Sequence, residues 1–180
     1  MAPLEELAQR TADGEKDAFA EIYGILLDPI YRYLYWNLYS REDAEDLAEE
    51  VFLKCLLNIG GYDPKRGTFK AWVFRIAHNL MVDHQRQRGR RGQEELKDEM
   101  EDGAPAVPQS LEEEERARVL RKSLDGLPSN QRQVIVMKFF ADMNNSEVAK
   151  ALGRSEGAVN AMQHRALRRL GKILEEQGWK

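Results

Sequence analysis

Apolar residues in this chain recur at three- and four-residue intervals, the period of a helix, and no strand-like alternation competes with that pattern. Ala44, Ala48, Val51, Phe52, Cys55, Leu56 and Ile59 form one such stripe, opened by Ser40 and Asp43 in the order of a capping box and closed by Gly60 and Gly61. After the loop at 60–67, Thr68 stands where it can cap the next helix, whose core positions are Phe69, Trp72, Val73, Ile76, Ala77 and Leu80. The segment 17–39 has the same period, but Pro29 within it predicts a kink or a break.

Residues 92–110 interrupt the pattern. They are acidic, contain prolines and glycines, and carry almost no large apolar residue, so burial cannot offset the entropy lost on ordering. The stretch reads as a flexible acidic linker between two helical domains, which makes the chain all-α. Beyond it, Ser110 with Glu113 makes a second capping box, the run 124–128 ends that helix, and Ser129 begins another carrying Val134, Ile135 and Phe139.

The remaining segment divides at Gly153 into a helix-turn-helix. Such a pair needs a small residue where the helices cross, a turn residue that tolerates positive φ, and a buried aliphatic on the second helix; Ala149, Gly153 and Val159 supply them. Ser155 is placed to cap the second helix, whose core stripe is Val159, Met162, Ala166, Leu170 and Ile173. The opposite face collects Gly157, Asn160, Ala161, His164, Arg165 and Arg168. Its first half is small or amide-bearing and its second half basic, which suits entry into a DNA major groove with phosphates alongside.

Charge sharpens this picture. A net −4 over 180 residues hides blocks of −9 at 1–64, +7 at 65–91, −9 at 92–115 and +7 at 116–180. Two basic islands around an acidic tract offer two places for a polyanion. The first island mixes arginines with aromatics, as expected where unpaired bases stack and phosphates are tracked. Its helix carries a polar stripe of Arg75, Asn79 and Arg86, while Phe69 and Trp72 are expected to be structural. The preceding loop, with Tyr62, Asp63, Lys65, Arg66, Gly67 and Thr68, has the aromatic face, cations and backbone groups to hold an extruded base. On the acidic helix before it, Asp46, Glu50, Leu53 and Leu57 lie together, flanked by Glu49, as a docking surface for a basic, partly apolar partner.

Other chemistries find little support. Cys55 is the only cysteine, which excludes an internal disulfide and a multi-cysteine zinc site. His78 and His84 face different directions, and His164 has no ligand partner at metal spacing. No nucleophile, base and orienting acid occur together, and no phosphate-binding glycine loop precedes a helix, so no catalytic residue, metal or cofactor is expected. No apolar run reaches the ~18 residues of a membrane span and the first residues lack a secretory pattern, so the expectation is a cytoplasmic chain without membrane insertion.

The segments DAFAEIY (17–23), DAEDLAEEVFLK (43–54), FKAWVFRIAHNLMVDHQRQRGRR (69–91) and 127–170 together resemble the extracytoplasmic-function (ECF) sigma factors of the sigma-70 family. The resemblance covers nearly all of the chain outside the linker, with four separated segments in the family's order. It implies a region 2 domain at 1–91 that binds core RNA polymerase and the −10 element, a linker at 92–110, and a region 4 domain at 111–180 for the −35 element. By position, Asp46, Glu49, Glu50, Leu53 and Leu57 would face the clamp helices of the largest β-type polymerase subunit. Tyr62, Asp63, Lys65, Arg66, Gly67 and Thr68 would receive a flipped −10 base, with Arg75, Asn79 and Arg86 near the melted strand. Ser155, Asn160, His164, Arg165 and Arg168 would meet −35 duplex. The resemblance also implies an anti-sigma factor for many members.

Nineteen linker residues reach at most roughly 60–70 Å and average near 24 Å as a coil, whereas the two promoter elements lie roughly 50–70 Å apart. The expectation is that polymerase holds the domains apart, and that in the unbound chain the acidic tether lies against the basic islands. The alternative function is a conventional helix-turn-helix regulator with an N-terminal helical interaction domain.

Overall fold

The computed structural model describes residues 2–90 and 111–178. All the regular elements among them are helical: α1 (Leu4–Ala12), α2 (Lys16–Leu38), α3 (Arg41–Asn58), two 3₁₀ turns (Ile59–Gly61 and Pro64–Arg66), α4 (Phe69–Arg90), α5 (Leu111–Asp125), α6 (Ser129–Phe139), α7 (Asn145–Leu152) and α8 (Glu156–Glu176). Ser110, the cap of the expected Ser110–Glu113 box, and the 92–110 linker lie outside the described residues.

The helix starts follow local chemistry. Ser40 accepts from the Asp43 N–H, Thr68 Oγ1 from the Ala71 N–H at 3.2 Å, and Ser155 Oγ from the Ala158 N–H at 3.2 Å. Asn144 and Glu147 complete a reciprocal capping box at α7, and Gly153 ends that helix in the left-handed region at φ 62°. The expected break at Pro29 does not occur. α2 runs through it as one helix of 23 residues, because Leu26 and Ile30 on either side are fully buried and packing outweighs one lost hydrogen bond.

Two expected core residues face outward instead. Leu56 is 45 % exposed, since Val51, Phe52 and Cys55, with Ile59 of the following turn, already fill the inner side. Phe139 is 58 % exposed, and its neighbour Phe140 turns inward onto Trp36 at a ring separation of 5.1 Å.

α1–α4 pack as one helical group and α5–α8 as a second, with α8 resting on α5, α6 and α7. Asp43 links α3 to α4 through Arg88 and His84, and Glu5 of α1 accepts the Phe69 N–H that opens α4. The two groups then meet, α7 against α4 and α6 against α2, so that one buried apolar cluster runs through both.

Candidate nucleic-acid interface

On α8 the division foreseen from the periodicity is present: Val159, Met162 and Ala166 are buried, while Gly157, Asn160, Ala161, His164, Arg165 and Arg168 are exposed. Ser155 caps this helix, and after the exposed Glu156 its first turn carries only the small residues Gly157 and Ala158. Asn160 Oδ1 accepts from Asn145 Nδ2, and Asn145 Oδ1 accepts from Lys138 Nζ at 2.5 Å. That relay occupies the carbonyl side of Asn160 and leaves its NH₂ to donate outward. Asn145 and Lys138 escaped the sequence reading because they lie on other helices.

Arg165 and Arg168 also line a cleft with Arg169, Lys172, Gly126 and Gln131. Arg169 and Lys172 were missed, although the basic run after Ala166 was their signal. They extend the positive face toward the C-terminal end of α8, away from its capped start.

The loop before α4 is tightly built. Tyr62 donates its hydroxyl to the Gly67 carbonyl at 3.0 Å, and its ring meets Phe69 at 5.1 Å and Trp72 at 5.8 Å. Burial, followed by Glu5 and Asp63, raises its phenol above the ordinary range. Asp63 accepts the Lys65 N–H at 3.0 Å and stands 3.8 Å from Arg66. Gly67 adopts φ 149°, ψ 175°, a region essentially closed to other residues. Lys65 and Arg66 therefore project from a fixed turn into solvent, Arg66 with 88 % of its side chain exposed. Beyond the turn, Arg75, Asn79 and Arg86 are exposed along α4, Arg86 lying 3.6 Å from Asp83.

Asp46, Glu49, Glu50 and Leu53 line one shallow depression on α3, with Leu57 exposed a turn further on. Lys54 meets Glu50 at 3.1 Å. Glu49 joins this depression to a groove formed with Tyr23, Leu27 and Tyr31 of α2. The i, i+4 spacing of those three was its unread signal.

Among the described residues no cluster of three or more His, Cys, Asp or Glu is arranged to hold a metal ion. Burial pushes the Cys55 thiol up to about 12, which leaves it a core residue and no nucleophile. Among the described residues no helix is long and apolar enough to cross a membrane.

Comparison with known proteins identifies the family. Residues 22–91 match the Sigma-70 region 2 family and residues 117–170 match Sigma-70, region 4. The ECF RNA polymerase sigma factor BldN of Streptomyces coelicolor is 33 % identical over 97 % of this chain and 67 % of its own length. SigW of Bacillus subtilis, another ECF sigma factor, is 29 % identical over 96 % of this chain and 97 % of its own. The structure of CnrH in complex with the cytosolic domain of CnrY superposes with a TM-score of 0.73 at 26 % identity, covering 94 % of this chain and 96 % of that one. Regions 2 and 4 thus occur in one chain, in that order. The chain belongs to the extracytoplasmic-function group of the sigma-70 family. It acts in transcription initiation as a regulatory subunit of RNA polymerase and not as an enzyme.

Proposed function

We propose that the chain divides its work between residues 1–91, which bind core polymerase and the melted −10 strand, and residues 111–180, which bind the −35 duplex, with 92–110 as the tether. Asp46, Glu49, Glu50, Leu53 and Leu57 form the polymerase surface. The cations Lys65 and Arg66 on the pinned turn, with Tyr62, Asp63, Gly67, Thr68, Arg75, Asn79 and Arg86, form the −10 surface. Ser155, Asn160, His164, Arg165 and Arg168 form the −35 surface. The chain works in the cytoplasm, where promoters are, and takes a protein antagonist, an anti-sigma factor, across both domains.

The observation that carries this reading is α8 itself. Its buried stripe and its exposed small-then-basic face are cleanly separated, and a capped N-terminus leads the way into a groove. The −10 assignment is tested by promoter opening with core polymerase, followed through a fluorescent base analogue in the −10 element. Lys65→Ala with Arg66→Ala should slow opening while leaving initial duplex binding near wild type, since an extruded base matters only after unstacking. Unchanged opening kinetics would return the loop to a purely structural role.

A further inference from the structure

A chain of three polar side chains crosses three helices and ends on the exposed face of α8. Lys138 of α6 donates from Nζ to Asn145 Oδ1 at 2.5 Å, and Asn145 Nδ2 of α7 donates to Asn160 Oδ1. Backbone bonds hold the same elements together. Met143 donates its N–H to the Met137 carbonyl at 3.1 Å, which ties the approach to α7 to the end of α6. Arg154, in the turn between α7 and α8, donates its N–H to the Ala149 carbonyl at 2.9 Å, and those two helices pack on each other. Lys138 and Asn145 are partly buried, whereas Asn160 is exposed.

The direction of this chain is set at Lys138. An ammonium group donates and never accepts, so Asn145 turns its oxygen toward α6 and its NH₂ toward α8. Asn160 answers with its own oxygen, and its NH₂ is left for the exposed face. An unrestrained asparagine pairs best with adenine, accepting from N6 while donating to N7. Asn160 has its acceptor engaged on α7 and offers DNA a donor instead. A donor matches guanine, which carries acceptors at both N7 and O6, and meets the N4 amino group of cytosine donor to donor. Thymine, with one acceptor at O4, falls between.

We propose that Asn145, aligned by Lys138, is a positioning residue that fixes the Asn160 amide with its donor outward and so sets the preference at one −35 position toward guanine and against adenine and cytosine. The proposal rests on the assignment of the exposed face of α8 to the −35 duplex. The same logic says how to invert the preference. A carboxylate at position 145 accepts from both neighbours, so Asn145→Asp keeps the bond from Lys138 but makes Asn160 turn its NH₂ inward and its oxygen to DNA. Adenine N6 and cytosine N4, both donors, then become the matches. An acid at the first position of α7 also suits the positive end of the helix dipole. Lys138→Met removes the group that orients the chain, frees both amides to rotate and makes the paired contact with adenine available.

The test is binding of the full chain, assembled with core polymerase, to promoter duplexes that carry each of the four base pairs at each −35 position in turn. Asn160→Ala first locates the position it reads, as the one where preference is lost. There the wild type should favour guanine over adenine by about tenfold. Asn145→Asp should reverse that order, and Lys138→Met should bring guanine and adenine to within about twofold of each other. The added negative charge of Asn145→Asp weakens binding to every duplex and cancels in these ratios. A merely structural role for Asn145 also moves all affinities together and leaves the order of bases unchanged. A wild type that prefers adenine at the located position, or an Asn145→Asp variant that keeps the wild-type order there, overturns the proposal. If Asn160→Ala changes the preference at no position, it is the −35 assignment of Asn160 that fails, and the positioning role fails with it. Should circular dichroism show that Asn145→Asp does not fold, Lys138→Met decides by the same ratio: an unchanged tenfold preference for guanine overturns the proposal, and its loss supports it.

Discussion

Arg88 of α4 holds Asp43 of α3, Nη1 to Oδ2 at 2.5 Å, and His84 Nε2 stands 3.4 Å from the same carboxylate oxygen. One acid thus fixes the angle between the helix assigned to polymerase and the helix assigned to −10 DNA. It sits at the third position of α3, where its N–H also donates to Ser40 Oγ at 3.2 Å.

Asp43→Asn should lower global stability by about 1 kcal/mol, the scale of a partly exposed charged hydrogen bond, and Asp43→Ala by somewhat more. Urea unfolding followed by circular dichroism measures it. A midpoint equal to wild type would show that the pair contributes nothing to the packing of α3 on α4.

Leu53→Asp and Glu50→Lys should each weaken binding to core polymerase without loss of helicity. Leu53 is 57 % exposed in a depression otherwise lined by acids, so its change costs nothing in the core while altering the character of the surface. Titration of labelled core enzyme with each variant should show the loss. Equal affinities would remove the surface from the account.

Arg165 and Arg168 separate two kinds of contact. Arg165→Ala should cost about 1–3 kcal/mol and relax preference at one −35 position if it reads a base edge. Arg168→Ala, a turn further along, should weaken all sequences alike and reduce the salt slope by about 1. Holoenzyme binding to −35 duplexes at several salt concentrations distinguishes them. Two variants matching wild type would mean that this face of α8 does not meet DNA.

His78 gives the fold a pH dependence of definite sign. It is half-buried on α4, with the Tyr33 hydroxyl 3.1 Å from its Nδ1, and burial followed by the charge of Arg154 lowers its pKa from 6.5. Below that value the unfolded chain takes up a proton that the folded chain resists, so stability falls as pH drops from about 6.5 toward the lowered folded value. Above that window His78 is neutral in both states and contributes no slope. His78→Gln should flatten the dependence between pH 7 and 5 in denaturant titrations, and an unaltered profile would contradict the assignment.

Local chemistry made much of this protein legible from its residues in order. The starts of α3, α4 and α8 were read correctly because a serine or threonine side chain satisfies an N–H only three residues away. The helix-turn-helix was legible for the same reason: Ala149, Gly153 and Val159 lie within eleven consecutive positions, and the exposed face of α8 follows from its period alone. Family membership needed only four such segments in sequence.

Tertiary structure decided what periodicity could not weigh. Leu56 and Phe139 fit their helical stripes yet face solvent, because a neighbouring side chain reaches the core first and the inner face has room for one. Tyr62 looked like an open base platform, but its hydroxyl is spent on Gly67 and its ring on Phe69 and Trp72, so the turn it holds matters more than the ring it offers. Above all, the meeting of Thr68 with Glu147 joins residues 79 positions apart in the chain. Each belongs to a local motif that is complete without the other, Thr68 as a cap and Glu147 in a capping box, and only the packing of α7 on α4 gives both side chains a second partner.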